Sequence, residues 1–385
     1  MSTFTFNTAA SIKFGAGMLS QLGQAVREKN CQSALLITDP GMMNTGIVSR
    51  AIGVLESAGV EVALFSEVEA DPPESVIYAA RDLALSQEAH CIVGIGGGSS
   101  LDVAKLVAVL ALGQENLADM YGVENTKGPR LPLILVPTTA GTGSEVTMVS
   151  IVTTGKSEKM GVVSPVILPD IALLDPELTL DLPPHITAAT GIDAMVHAIE
   201  AYTSVSKNNN PISRQLATQA LTLMGASIEQ VMLNGKNLAA RSDMLLGSML
   251  AGQAFANSPV AAVHALAYPI GGHYKVPHGL SNALVLPHVL RFNAVTASQP
   301  YAELAPYAFP EMAGMKSQAA AAMFADKMAA LSERCGLETS LREVGIEREA
   351  LPMLARDAMN QSRLLVNNPR EVTERDALAI YESAW

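Results

Sequence analysis

The chain has 385 residues, 49% of them hydrophobic and 16% charged, which is enough for about two domains of ordinary size. Its 25 Lys and Arg against 37 Asp and Glu give a net charge of −12 with no basic block, which excludes a phosphate-backbone partner. Mean hydropathy is +0.25, yet no apolar run approaches the ~20 residues that span a bilayer, and the run over 106–112 stops at Gly113. The first fifteen residues carry neither a basic nor an apolar segment, which predicts a cytoplasmic protein. Cys31, Cys91 and Cys335 lack redox or metal spacing and read as buried, incidental thiols.

In chain order, residues 4–14 alternate weakly and predict an edge strand, one that would pair with a second copy in a homodimer. The runs over 33–38, 60–65, 91–95 and 131–136 are short and apolar, the length of parallel strands buried on both faces. Between them, residues 45–58 and 74–87 place apolar side chains three and four apart, which predicts helices. Strands alternating with such helices form a parallel α/β sheet. After Asp175-Pro176 and Leu182-Pro183-Pro184 the β-branched runs give way to helical pattern over 212–232, 238–256, 318–335 and 348–361. The expectation is an α/β amino-terminal domain with a parallel sheet over 1–182 and an all-α carboxyl-terminal domain over 183–385.

Gly94-Ile95-Gly96-Gly97-Gly98-Ser99-Ser100-Leu101-Asp102 lies where a predicted strand meets a helix. Glycines there let the backbone approach an anion, and the free N–H groups of a helix start favour a phosphate, with Ser99 as the expected N-cap. Taken alone, the loop also fits a ligand-free turn. The G-x-G-x-x-G spacing fails because position 99 is serine, and no Gly-Lys-Ser/Thr follows, so the loop is neither a Rossmann fingerprint nor a Walker motif. Asp39, at the end of an earlier strand, is placed like an acid that accepts from a ribose 2′-hydroxyl. Its charge would repel a 2′-phosphate, which favours NAD over NADP, although it also fits an ordinary turn. Thr138, Thr139 and Thr142 lie in a second loop of small residues and offer hydroxyl donors. Lys159 is a candidate cation in an acidic chain.

Of seven histidines, His264, His273, His278 and His288 fall within 25 residues. Asp193 and His197 are four apart in a helical pattern and share one face, where both reach a single ion. Pro269, Gly271, Gly272 and Pro277 predict a broken helix that folds His264 and His278 toward one point. One carboxylate and three imidazoles suit iron or zinc in the divalent state.

Gly96 through Asp102, Pro137 through Glu145, Ala189 through Tyr202, and His264 with Pro277-His278-Gly279 together resemble the iron-containing (group III) alcohol dehydrogenases, nearly end to end. The resemblance implies a dehydroquinate synthase-like fold, with a dinucleotide-binding amino domain, a helical metal-binding carboxyl domain, and a cleft between them. It implies Asp193, His197, His264 and His278 as ligands of Fe2+, with Zn2+ as the other option, and a homodimer. NAD contacts would come from Asp39, Gly96, Gly97, Gly98, Ser99, Asp102, Thr138, Thr139, Thr142 and Lys159. The implied reaction is reversible hydride transfer between a small alcohol or aldehyde and nicotinamide. One departure stands out: many members carry a histidine four residues after the third ligand, where this chain has Tyr268. That leaves His273 as the expected proton relay, with Tyr268 beside it in the site. Substrate-pocket walls are expected near Met148, Ser150, Phe255 and Tyr268. Competing readings are a glycerol-dehydrogenase-like or other polyol or hydroxy-acid dehydrogenase, a metal hydrolase, and a nucleotide-sensing protein without activity.

Overall fold

The computed structural model describes residues 3–113, 115–155 and 158–385. Met1 and Ser2, part of the amino-terminal stretch discussed above, lie outside the described residues. The chain divides into two compact units. One is Asn7–Asp181, and the other joins Leu182–Trp385 to the chain's first residues, up to Phe6.

In the first unit the strands are β1 (Ser11–Phe14), β2 (Ser33–Ile37), β3 (Glu61–Phe65), β4 (Cys91–Gly96), β5 (Gly122–Val123), β6 (Leu133–Pro137), β7 (Val149–Thr154), β8 (Glu158–Val163) and β9 (Ile171–Leu174). Its helices are α1 (Leu22–Glu28), α2 (Ile47–Ser57), α3 (Glu74–Ser86), α4 (Gly98–Leu110) and α5 (Leu117–Met120). Six strands form one parallel sheet in the order β1-β9-β6-β4-β2-β3. Of the predicted edge strand over 4–14 only β1 forms, and it does lie at the edge.

The continuous apolar runs follow from burial on both faces. Leu35, Ile37, Ile92, Leu133 and Leu135 point into one core with α3 and α4, while Ala34, Leu36, Val93, Ile134 and Val136 point into a second with α1 and α2. A smaller sheet, β5-β8-β7, escapes the sequence reading: β7 and β8 pair antiparallel, and the buried positions of β7, Ser150 and Val152, are one polar and one apolar, so no two-residue hydrophobic period shows.

The second unit is helical: α6 (Pro184–Thr203), α7 (Pro211–Leu233), α8 (Leu238–Asn257), α9 (Ala262–Tyr274), α10 (His278–Ala308), α11 (Ser317–Arg334), α12 (Leu351–Ala358), α13 (Ser362–Leu365) and α14 (Glu374–Ala384). Along α6, Ile192 to Ala201 are buried at every position, so the helix is wrapped on all sides. Gly191 makes this possible, since a Cβ there would meet Met244 at 2.8 Å and Ile228 at 3.1 Å. The predicted break between His264 and His278 forms only at its last position: α9 runs through Pro269, Gly271 and Gly272 to its C-cap Lys275, whose φ of 56° is left-handed, and Pro277 is the N-cap of α10 ahead of His278. No described helix is long and apolar enough to cross a membrane.

Candidate metal centre and nucleotide cradle

Asp193, His197 and Glu200 occupy positions i, i+4 and i+7 of α6 and share one face. His264 sits near the start of α9 and His278 opens α10. Ligand atoms of Asp193, His197, His264 and His278 all lie within 4.8 Å of one another. From Asp193 Oδ1 the three Nε2 atoms are 4.0, 3.9 and 3.8 Å away in that order. Two ligands of one ion at bond lengths of ~2.1 Å stand roughly 3 to 4.2 Å apart, so these pairs fit a shared metal. Burial alone would raise the Asp193 carboxyl, but the three imidazoles and Asn282 more than offset it and hold it below the usual carboxylate range.

The histidines are oriented from behind. Glu200 is buried and accepts from His264 Nδ1 at 2.6 Å, from Ala261 N at 3.0 Å and from Val263 N at 2.7 Å. One carboxylate therefore caps α9 and fixes the imidazole with Nε2 facing the cluster. His197 stacks between Phe255, at 4.3 Å, and His264, at 4.8 Å. Asn282, one turn beyond His278, donates to Asp193 Oδ1 at 2.6 Å and lies 3.2 and 3.3 Å from the Nε2 atoms of His278 and His264. Its own Oδ1 is buried without a partner. Where three of the four donors converge, the structure thus places a positively polarised amino group beside an unmatched carbonyl. Donor atoms gathered around positive charge are the electrostatic requirement of a bound cation.

The approach of α10 to α6 depends on Gly279, where a Cβ would stand 2.4 Å from the Ala189 carbonyl oxygen and 3.3 Å from Asp193 Cβ. Gly279→Ala is expected to push His278 off the cluster, and isothermal titration of the metal-free variant with Fe2+ should show affinity reduced by about tenfold or more.

The structure does not bring His273 to this cluster. Nine residues after His264, it projects from the opposite side of α9, and its Nε2 lies 2.6 Å from Asp357 Oδ2. His273→Ala is accordingly expected to leave the pH–rate profile unaltered, which a kcat/KM titration over pH 5 to 9 checks. Tyr268 is one turn beyond His264, with its ring 5.8 Å from that of His278. His288 is also outside the cluster, and burial pushes it down to about 4.

In the first unit, β2 and β4 are adjacent, so Asp39 at the end of β2 meets the glycine turn at the end of β4 despite preceding it by some sixty residues. Asp39 Oδ2 accepts from Ser100 Oγ at 3.2 Å and Oδ1 from Met42 N at 3.2 Å. Gly96 has a φ of 147°, and a Cβ on it would stand 2.8 Å from Ser100 Oγ and 3.0 Å from Asp39 Oδ2. The α4 N-cap is Gly97 rather than Ser99, which lies inside the first turn, and among the described residues no side-chain cap hydrogen bond forms there. Its leading N–H groups and dipole are left for an anion. Thr139 and Thr142 face Gly97 and Gly98, while Thr138 is buried against Met42 Sδ at 3.5 Å.

Two expected cofactor residues are already engaged. Asp102 accepts from Ser144 Oγ at 2.6 Å and Ile151 N at 2.9 Å, and Lys159 pairs with Asp71 at 2.5 Å. Asp102 therefore straps the 138–147 loop to α4, assisted by the fully buried Lys105, which donates to Thr147 Oγ1 and the Val149 carbonyl. Beside them Glu145 is buried, and burial, partly countered by its own backbone N–H and by Lys105, pushes it up to about 7. A raised carboxyl favours the fold when protonated, so its contribution is complete below pH ~4.5 and lost as pH rises through ~7. Glu145→Gln should remove roughly 3 kcal/mol of that pH dependence, read from urea unfolding at pH 5 and pH 8.

Iron-containing alcohol dehydrogenase models match residues 9–176 and, for the carboxyl-terminal part, residues 187–385. The chain belongs to the iron-containing alcohol dehydrogenase family. It is 38% identical to long-chain-alcohol dehydrogenase 1 of Geobacillus thermodenitrificans, covering 96% of this chain and 94% of that one. It is 31% identical to the NAD-dependent methanol dehydrogenase of Bacillus methanolicus over the full length of both. The crystal structure of a 1,3-propanediol oxidoreductase superposes with a TM-score of 0.96 at 34% identity, covering 100% of both chains. The family explains why a glycine-turned helix start and a cluster of one aspartate with three histidines occur in one chain: its members are oxidoreductases that carry both a nucleotide and a metal.

Proposed function

We propose that this member of the family is an NAD-linked, iron-dependent alcohol dehydrogenase and aldehyde reductase acting on small substrates, with zinc as the alternative metal. The convergence of Asp193, His197, His264 and His278, with Glu200 behind them, carries the reading. When bound, the metal supplies a Lewis acid that polarises the substrate oxygen and the nicotinamide accepts or gives hydride.

The chain's own residues do the positioning. Asp193 and the three imidazoles hold the ion, Glu200 keeps the His264 proton on Nδ1, and Phe255 fixes the His197 ring. Gly96, Gly97, Gly98 and Ser99 leave the start of α4 open to phosphates. Thr138, Thr139 and Thr142 line the facing loop, and Asp102 with Lys105 secures it. Lys159, paired with Asp71, remains the candidate cation for the nucleotide. Asp39 accepts from the ribose 2′-hydroxyl, so Asp39→Gly should raise kcat/KM for NADPH relative to NADH by about tenfold or more, measured with one aldehyde.

A homodimer in the cytoplasm completes the proposal. The open outer edge of β1 supports the dimer, which sedimentation tests, and three buried free thiols suit a reducing compartment. The direct test of activity is loss of NADH absorbance at 340 nm on adding a short aldehyde with Fe2+ or Zn2+. Absence of any change across alcohols and aldehydes of two to six carbons would reject the reading.

A further inference from the structure

Within the helical unit the metal residues are unequally covered. The Asp193, His197 and His264 side chains are 2%, 5% and 3% exposed, but that of His278 is 40% exposed. A molecule reaching the cluster therefore passes His278. The Tyr268 ring stands beside that imidazole, and on its other contact the Arg363 guanidinium lies 5.9 Å from the ring centroid. Arg363, at the start of α13, is exposed and has no carboxylate at ion-pair distance among the described residues.

Other tyrosine-stacked arginines are not left this way. Arg81 lies over Tyr78 and also pairs with Asp82, and Arg214 lies over Tyr202 and also pairs with Glu303. In a chain of net charge −12, acids to match a third such arginine are plentiful. The aromatic contact holds the guanidinium without consuming its charge or its N–H donors. The planar fork suits a carboxylate or sulfonate, which it binds through paired charge-assisted hydrogen bonds.

We propose that Arg363 is a specificity residue that selects short aldehydes and alcohols whose far end carries an anionic carboxylate or sulfonate. The reacting end faces the metal residues, the chain crosses the Tyr268 ring, and the anionic end meets the guanidinium. This rests on the dehydrogenase reading and adds a substrate class to it.

The test compares kcat/KM for matched aldehydes of equal length, one ending in a methyl group and one in a carboxylate or sulfonate. The wild type is expected to favour the anionic member, and the preference should shrink as salt rises from ~10 mM to ~0.5 M. In Arg363→Ala the anionic-to-neutral ratio should fall about 10- to 100-fold, chiefly through KM, with Arg363→Lys intermediate and Arg363→Glu inverting the preference. NADH affinity, followed by fluorescence titration, separates substrate from cofactor. A loss of NADH affinity in Arg363→Ala equal to the loss with the anionic aldehyde would overturn the assignment in favour of a cofactor phosphate. A wild type that reduces neutral aldehydes with no anionic preference would overturn the proposal while leaving the dehydrogenase reading intact. A wild type inactive on both members would instead reject that underlying reading.

Discussion

Asp193→Ala protein, purified without oxygen, is expected to hold no stoichiometric metal and to lose about a thousandfold or more in kcat/KM. Asp193 is the one anionic donor in the cluster, and its Oδ1 is the atom to which all three imidazoles are aligned at 3.8–4.0 Å. Three neutral imidazoles alone leave a dication uncompensated in a mostly buried site. Losing the ion removes several kcal/mol of charge stabilisation at the reacting oxygen, and each 1.36 kcal/mol is a factor of ten in rate. Elemental analysis beside steady-state kinetics checks both halves. Full metal content in the variant would show that the donors do not act as one shell.

Glu200 gives the second large effect, and two substitutions separate its roles. Glu200→Ala leaves Ala261 N and Val263 N buried without acceptors, at roughly 1–3 kcal/mol each, so the melting temperature should drop by about 5–20 °C. Glu200→Gln keeps the shape, but one amide oxygen cannot serve both sides, since Oε2 accepts from His264 Nδ1 and Ala261 N and Oε1 from Val263 N. An N–H2 must face one of these donors, and the neutral amide holds the Nδ1 proton more weakly than the carboxylate did. Metal affinity should then fall about 10- to 100-fold with a smaller change in melting temperature. Nitrogen NMR of the labelled His264 ring reads the tautomer directly. A Glu200→Gln protein with unaltered metal affinity would remove Glu200 from the account.

Much of this was legible in the residues. The strand runs and the Asp193-x3-His197 spacing are local patterns, with periods set by backbone geometry, and the sequence motifs carried the family. Glu200 was missed although 193, 197 and 200 share a helical face, because an acid inside an apolar helix shows its role only once its partners on α9 are known. Asn282 belongs to the same class, being one turn from His278 with partners far away in sequence. His273 shows the opposite failure: clustering in sequence suggested proximity, whereas nine helical residues reverse the side. The break expected between His264 and His278 forms at Lys275 and Pro277, while Pro269, Gly271 and Gly272 stay inside α9. Lys159 and Asp102 were read as nucleotide contacts, and nothing local announced their partners Asp71 and Ser144, which come from other elements. Neither the β7–β8 hairpin nor the burial of Glu145 near Lys105 has a local signature.

The central claim is that Asp193, His197, His264 and His278 hold a metal on which the oxidoreductase activity depends. Chelator-treated, anaerobic protein with NADH and a short aldehyde, assayed before and after graded addition of Fe2+, tests it most directly. The expected result is negligible activity without metal, recovery saturating near one ion per chain, and no recovery in Asp193→Ala. Full activity in metal-free protein, or equal recovery in Asp193→Ala, would contradict it.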